Sequence, residues 1–199
     1  MILAPKSQLL LATRNQGKAR EIQAVLHDLD LRFLTFADFP WLSDVEETGA
    51  TFAENALLKA KYCWEKTRVA TLADDSGLAV DALGGQPGVL SARFAPTDRE
   101  RISRLLDLMS SIKAPEDRKA RFVCALCLVH ASGIVQVEAS VEGLITTEPA
   151  GQSGFGYDPI FFYPPLGRTF AELSNTEKNA VSHRFLALKK LRAKLLPEQ

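Results

Sequence analysis

Apolar positions along this chain recur with two periods, and the switches between them predict its elements in order. Residues 8–12 form a short apolar run that reads as a strand. A polar turn at 13–18 follows, and then Ile22, Val25, Leu26 and Leu29 fall at the i, i+3, i+4, i+7 spacing of one helix face. Residues 31–36 read as a second strand. Thr51-x-x-Glu54 is a capping box, in which each side chain takes a backbone N–H at the other end of the motif, and it predicts a helix to about Lys66. Residues 69–73 read as a buried strand. A turn-rich stretch at 84–88 leads to a second box, Thr97-x-x-Glu100, whose helix carries Ile102, Leu105, Leu106 and Met109 on one face and is ended by Ala114-Pro115. Two long β runs, 121–131 and 134–145, are split by Ser132-Gly133 and predict an antiparallel pair. After a short strand at 159–163, a third box, Ser174-x-x-Glu177, opens a C-terminal helix with the stripe Val181, Phe185, Leu188 and Leu191. Alternating units followed by a hairpin predict an α/β fold with a mixed sheet.

Composition narrows the function. The chain has 199 residues, 46% of them hydrophobic, with 24 Lys and Arg against 24 Asp and Glu. A chain of this length buries roughly 70% of its unfolded surface and needs no disulfide or metal to fold. Zero formal net charge removes the broad electrostatic case for nucleic acid as a partner, so any anion site is local. No apolar stretch reaches the roughly 18 residues of a membrane span, and the first eleven residues lack the apolar core and cleavage site of a secretory signal. Cys124-x-x-Cys127 resembles a metal or redox motif, but in a strand two residues three apart face opposite ways. With Cys63 they read as small buried hydrophobes, which predicts a cytoplasmic protein. No repeat or linker divides the chain, and 1–199 is taken as one domain.

Four polar clusters fall at predicted element ends. Thr13, Arg14, Asn15, Gln16, Gly17 and Lys18 follow a strand and open a helix, where free N–H groups favour an anion and a lysine opposes the helix dipole. An ordinary polar turn is the alternative, since the Walker pattern is absent. Asp74, Asp75 and Ser76 follow the strand at 69–73, and adjacent carboxylates there suit Mg²⁺ or a solvated turn. Glu46 and Glu47 precede the helix that carries Asn55 and Lys59 on one face, which is either a second metal-facing carboxylate with a phosphate-facing lysine or plain surface. In Gly154, Phe155, Gly156, Tyr157 and Asp158 an aromatic between glycines is free to stack on a base. Lys178, His183 and Arg184 complete the set, and at 100° per residue His183 falls away from the helix's apolar stripe. Phosphate, Mg²⁺, a flat ring and basic donors together describe a nucleoside triphosphate site.

These motifs resemble the inosine/xanthosine triphosphate pyrophosphatases, the family that hydrolyses non-canonical purine nucleotides. The likeness runs from Leu9 to about Leu191. It rests on Ala-Thr-x-Asn-x-x-Lys (12–18), Glu-Glu-Thr-Gly-x-Thr-Phe-x-Glu-Asn-Ala (46–56) with Lys59, Ala-Asp-Asp-Ser-Gly-Leu (73–78), Gly-Gly-x-Pro-Gly-x-x-Ser-Ala-Arg-Phe (84–94), Gly-Phe-Gly-Tyr-Asp-Pro-Ile-Phe (154–161), and Lys178 with Ser182-His183-Arg184. The resemblance implies an elongated two-lobed α/β fold with the active site in the cleft between lobes, a homodimer, and Mg²⁺-dependent hydrolysis of ITP, dITP or XTP to monophosphate and pyrophosphate. It implies that residues 13–18 and Lys59 hold phosphates, and that Glu47 and Asp75 bind Mg²⁺ with Asp74 in support. Asp75 would also accept the proton of the attacking water. Ser76 would touch the substrate, Phe155 would stack on the purine, and Gly156, Tyr157, Asp158, Lys178, His183 and Arg184 would shape the base pocket. Arg14 departs from the small or polar residue expected there. Two alternatives remain: a related pyrophosphatase reading another base, and a nucleotide sensor without turnover.

Overall fold

The computed structural model describes residues 3–196. Its strands are β1 (Gln8–Leu11), β2 (Arg32–Leu34), β3 (Ala70–Val80), β4 (Lys119–His130), β5 (Gly133–Ile145), β6 (Phe161–Tyr163) and β7 (Arg168–Thr169), and its helices are α1 (Gln16–Leu26), α2 (Phe52–Thr67), α3 (Asp98–Leu108), α4 (Asn175–Val181) and α5 (His183–Leu195). The strands form one mixed sheet in the order β2-β1-β3-β4-β5-β6-β7. β1 runs parallel to β2, pairing Leu9 with Phe33, and parallel to β3, pairing Leu10 with Thr71. Parallel neighbours need crossovers, and α1 and α2 supply them. β6 runs antiparallel to both β5 and β7.

Backbone contacts divide the chain into two compact units. One takes the chain up to Asp75, Cys124–Ala139 and the chain from Arg184 onward; the other takes Ser76–Val123 and Ser140–His183. The divisions fall inside β3, β4 and β5 and between two residues of α5. No linker marks them, which is why composition gave no hint of two units.

The first unit's core lies on both faces of its strands. Leu9, Leu11, Leu72, Cys124 and Leu126 join Ile22 and Leu26 of α1 and Leu188 and Leu191 of α5. Leu10, Ala73, Ala125 and Cys127 join Ala56, Ala60 and Cys63 of α2. Alternate residues of β4 enter opposite clusters, so Cys124 and Cys127 face opposite ways as their spacing predicted. Burial pushes the Cys63 thiol up to about 11 and Cys127 to about 12, so neither is a thiolate at neutral pH. In the second unit the packing is aromatic: Phe122 lies 4.5 Å from Phe161, 5.8 Å from Phe170 and 4.7 Å from His183, the last two nearly parallel to it.

All three capping boxes form, at Thr51/Glu54, Thr97/Glu100 and Ser174/Glu177, each worth about 1 kcal/mol at a helix end. Four expectations change. α3 ends at Leu108, with Met109 as its C-cap, and does not reach Ala114-Pro115. β3 does not stop at Ala73 but runs through Asp74, Asp75, Ser76 and Gly77 to Val80, because both carboxylates find buried partners and need no turn. A Cβ on Gly77 would stand 2.3 Å from Ser91 Oγ, so this strand position has room only for hydrogen. The connection of β4 to β5 is Ala131-Ser132 rather than Ser132-Gly133. The single C-terminal helix is two, broken at Ser182, whose ψ of 152° is extended. That break resets the phase of the helix. His183, placed on the outer side by a continuous 100° count, is 5% exposed and stacks on Phe122.

Candidate active site

The site residues of the first unit gather around β3, where alternation sends adjacent acids to opposite faces. Asp74 points toward α1 and α5. Its Oδ1 accepts from Lys18 Nζ at 2.5 Å, and its Oδ2 accepts from Arg184 Nε at 2.8 Å and from the Cys124 thiol at 3.2 Å. Arg184 also donates to Glu21 of α1. Burial opposes the charge on Asp74, but Arg184 and Lys18 outweigh it and hold its carboxyl well below the ordinary range. Burial and the neighbouring Asp74 push the Cys124 thiol well up, so it serves as a donor and not as a nucleophile. Lys18 is thereby fixed in the first turn of α1. There Asn15 caps the helix by accepting from Lys18 N at 3.1 Å, and Thr13 Oγ1 accepts from Asn15 N at the same distance.

Asp75 points the other way, toward α2. Lys59 Nζ stands 2.6 Å from Glu47 Oε1, 2.8 Å from the Asp74 carbonyl and 3.5 Å from Asp75 Oδ1. Burial works against the Lys59 charge, but Asp75 and Glu47 more than offset it, and its pKa ends above the ordinary value. Asp75 shifts upward too: burial dominates and Glu47 adds to it, against the pull of Lys59. Oδ2 of Asp75 and Nδ2 of Asn55 are both buried without a completed hydrogen bond. An unmatched buried carboxylate oxygen is costly and rare. Among the described residues no three His, Cys, Asp or Glu side chains form a metal-holding cluster.

Arg14 leaves the others. Its Nε donates to Asp44 at 2.6 Å and its guanidinium lies 4.6 Å over the Phe36 ring, so it clips the start of α1 to the segment before α2. Glu46 is exposed, whereas Glu47 is half-buried against Lys59.

The second unit holds the aromatic group. Asp158 Oδ2 accepts from the Phe155 backbone N–H at 2.8 Å and from Lys178 Nζ at 2.6 Å, and Nζ lies 4.6 Å over the Phe155 ring. Gly154 makes this possible: at φ 79° a Cβ would meet Asp158 Oδ2 at 2.1 Å. Tyr157 donates to the Ser91 carbonyl at 3.0 Å, and burial raises its phenol pKa. Ser76 begins this unit's share of β3. Phe155, Asp158 and Lys178 therefore come together as expected, while Arg184, in the first unit, donates to Asp74 and Glu21. His183 lies in the aromatic core beside Phe122.

The Ham1 family pattern matches residues 9–194. The chain belongs to the Ham1 family. A relative from Thermus thermophilus named dITP/XTP pyrophosphatase is 51% identical over 187 residues, covering 92% of this chain and 89% of its own. One of the same name from Bacillus licheniformis is 46% identical over 191 residues, covering 94% and 97%. The solved Ham1 protein of Coxiella burnetii is 42% identical with a TM-score of 0.88, over 95% of this chain and 98% of that one. A Mycobacterium abscessus structure described as a nucleoside-triphosphatase / dITP/XTP pyrophosphatase is 45% identical with a TM-score of 0.76, over 96% and 100%. Three residues in these hydrogen-bond networks were missed by sequence reasoning. Glu21 had a signal, since it lies one turn after Lys18 on α1. Cys124 had none, because its acceptor is 50 residues away. Asp98, which accepts from the Gly156 N–H at 2.8 Å, was hidden by its suitability for a helix N-terminus. No helix among the described residues is long and apolar enough to cross a membrane.

Proposed function

We propose that this Ham1 protein hydrolyses deaminated purine nucleoside triphosphates, namely ITP, dITP and XTP, to the monophosphate and pyrophosphate, and so clears them from the pool used for nucleic acid synthesis. The observation that carries the reading is the unmatched, buried Oδ2 of Asp75 beside the Lys59–Glu47 pair. Such an oxygen is suited to a cation or a water. Mg²⁺ uses one or two carboxylates together with water and substrate phosphate, so Asp75 and Glu47 fit it without a third acid. When bound there, the metal would neutralise phosphate charge in the transition state. Lys18, held by Asp74, contributes the same kind of stabilisation to the triphosphate, as does the segment 13–18 through the N–H groups of Arg14, Gln16 and Gly17, those of Thr13, Asn15 and Lys18 being given to Leu11, Thr13 and Asn15. Asp75 accepts the proton of the attacking water, and Lys59 keeps the two acids from repelling each other while the site is empty of substrate.

In the second unit Phe155 takes one face of the purine. Lys178 brings a donor to the ring that the base would stack on, which matches the 6-oxo acceptor of hypoxanthine and xanthine and mismatches the amino group of adenine. Gly156, Tyr157 and Asp158 shape that loop, and Ser76 touches the substrate. The reading includes a cytoplasmic location and a homodimer. Trp41, 61% exposed with its ring set edge-on against Phe39, is the apolar surface we assign to the dimer.

Pyrophosphate release from XTP, ITP, dITP, GTP and ATP, with Mg²⁺ and with EDTA, tests the reading. Mg²⁺-dependent pyrophosphate from the first three and little from the last two is expected. Orthophosphate in its place, or binding without turnover, would overturn it. Light scattering of wild type and Trp41→Glu tests the dimer.

A further inference from the structure

Phe155 is the ring on which the proposed base recognition rests, and Lys178 Nζ lies 4.6 Å over it. The stretch from Gly151 to Gly156 borders a pocket of about 560 Å³, whose opposite wall is α3 with Asp98, Ile102 and Leu106. Upstream of the ring the loop is tied down, since the N–H groups of Gln152 and Ser153 both donate to the Ala171 carbonyl, but Gly154 and Gly156, both at positive φ, leave the ring-bearing turn itself with conformations to choose from. Hydrogen bonds must select one.

Two carboxylates do so, from different elements. The N–H of Phe155 goes to Asp158 Oδ2 at 2.8 Å, and the next N–H, of Gly156, goes to Asp98 Oδ2 at 2.8 Å. The amides on both sides of the Phe155 side chain are thus each captured by an acid. Asp98 is itself held: its Oδ1 accepts from Arg101 at 2.6 Å, and Arg101 donates in turn to the Ala95 and Pro96 carbonyls just before α3. Asp158 belongs to the loop's own turn, whereas Asp98 ties the loop to a helix. We propose that Asp98, oriented by Arg101, is the positioning residue that holds the Phe155 loop in its base-accepting conformation. This inference rests on the reading of Phe155 as the stacking ring.

If the latch is lost, the loop can relax toward the pocket, and the enzyme loses preorganised contact with the base but not with the triphosphate. Asp98→Ala and Asp98→Asn are compared with wild type for KM and kcat on XTP and for inhibition by inorganic pyrophosphate, which has no base. Asp98→Ala is expected to raise KM for XTP about tenfold, leave the pyrophosphate inhibition constant within about twofold and lower the preference for XTP over ATP. Asp98→Asn retains an acceptor oxygen and should recover most of the loss. An unchanged KM in a folded Asp98→Ala protein, or equal weakening of XTP and pyrophosphate, would overturn the inference. Arg101→Ala, which leaves the Asp98 carboxylate in place but unsupported, should move KM in the same direction by a smaller factor. Absence of XTP turnover in wild type would instead remove the functional reading beneath it.

Discussion

Asp74 of β3 and Arg184 of α5, 110 residues apart, meet in a buried ion pair with 2.8 Å between Oδ2 and Nε and neither side chain more than 2% exposed. The pair decides where Lys18 stands, because the other Asp74 oxygen holds the lysine. Removing one partner of a buried pair leaves an uncompensated charge and costs about 3–5 kcal/mol. Arg184→Met should therefore lower Tm by roughly 10 °C in a domain of this size. The pH dependence follows from the depressed pKa of Asp74. Its stabilisation is fully present above the unfolded aspartate value of about 3.9 and is lost only as pH falls through the lower folded value. Thermal melts of both proteins against pH should show the largest difference at neutral pH and a shrinking one in strong acid.

Asp75→Asn separates stability from chemistry. Burial raises the folded pKa of Asp75, so above that pH its charge works against the fold. In EDTA the amide should leave Tm unchanged or raise it by about 2–4 °C, the equivalent of about 1 kcal/mol. Turnover of XTP with Mg²⁺ should fall by about 10³-fold or more, as expected when a proton acceptor and a metal-facing oxygen go together. A folded variant with wild-type turnover would take Asp75 out of the reaction.

The part of the fold that was readable has local signals. Capping boxes and a 3.6-residue apolar period depend on neighbours in sequence, and Thr51, Thr97 and Ser174 all cap where their spacing places them. What could not be read depends on distant partners. Asp74 and Asp75 look like a turn until Arg184, Lys18 and Lys59 arrive from three helices and make a strand tenable. His183 looks exposed as long as α4 and α5 are counted as one helix, and nothing local at Ser182 announces the break. Arg184 follows that break too, and its pairing with Asp74, 110 residues away, could not be read from its neighbours in sequence.

Lys178→Met keeps an unbranched side chain over the Phe155 ring and removes the donor. Beyond the stability lost by leaving Asp158 without its buried partner, the loss should fall on base recognition, with KM for XTP rising about 10–100-fold and the XTP-to-ATP preference shrinking, since a site built to hydrogen-bond a substrate group discriminates through that bond. Inhibition by pyrophosphate should stay within about twofold. Parallel weakening of both would assign Lys178 to the phosphates.

Gly154→Ala probes the same group through the backbone. The added Cβ would meet Asp158 Oδ2 at 2.1 Å, at a φ of 79° that L side chains avoid. The turn must open, and with it the bonds from Phe155 N–H and Lys178. Urea titration should show a loss of about 1–3 kcal/mol, the range for strain at such a position. The KM defect for XTP should match or exceed that of Lys178→Met. A stable variant with normal KM would mean that the Asp158 bonds are not needed to hold Phe155.

Arg118 tests the opposite case, a buried cation outside the chemistry. It is 4% exposed, and its guanidinium donates to four carbonyls: Met109 and Ile112 beyond the end of α3, Ile145 at the end of β5, and Thr146. Burial lowers its pKa, and the bonds to carbonyl oxygens replace the water it has lost. Arg118→Met would take the guanidinium from all four carbonyls, of which Met109 keeps its bond from the Ile112 N–H, and should cost about 3–5 kcal/mol, read as a Tm lower by roughly 10 °C. Arg118→Lys should recover little, because one ammonium cannot reproduce a planar fork that reaches four acceptors. At a temperature where both variants are folded, kcat and KM for XTP should lie within about twofold of wild type, since the residues around Arg118 are not those assigned to phosphate, metal or base. A Lys variant as stable as wild type would show that charge alone, without the fork, secures the end of α3 to β5.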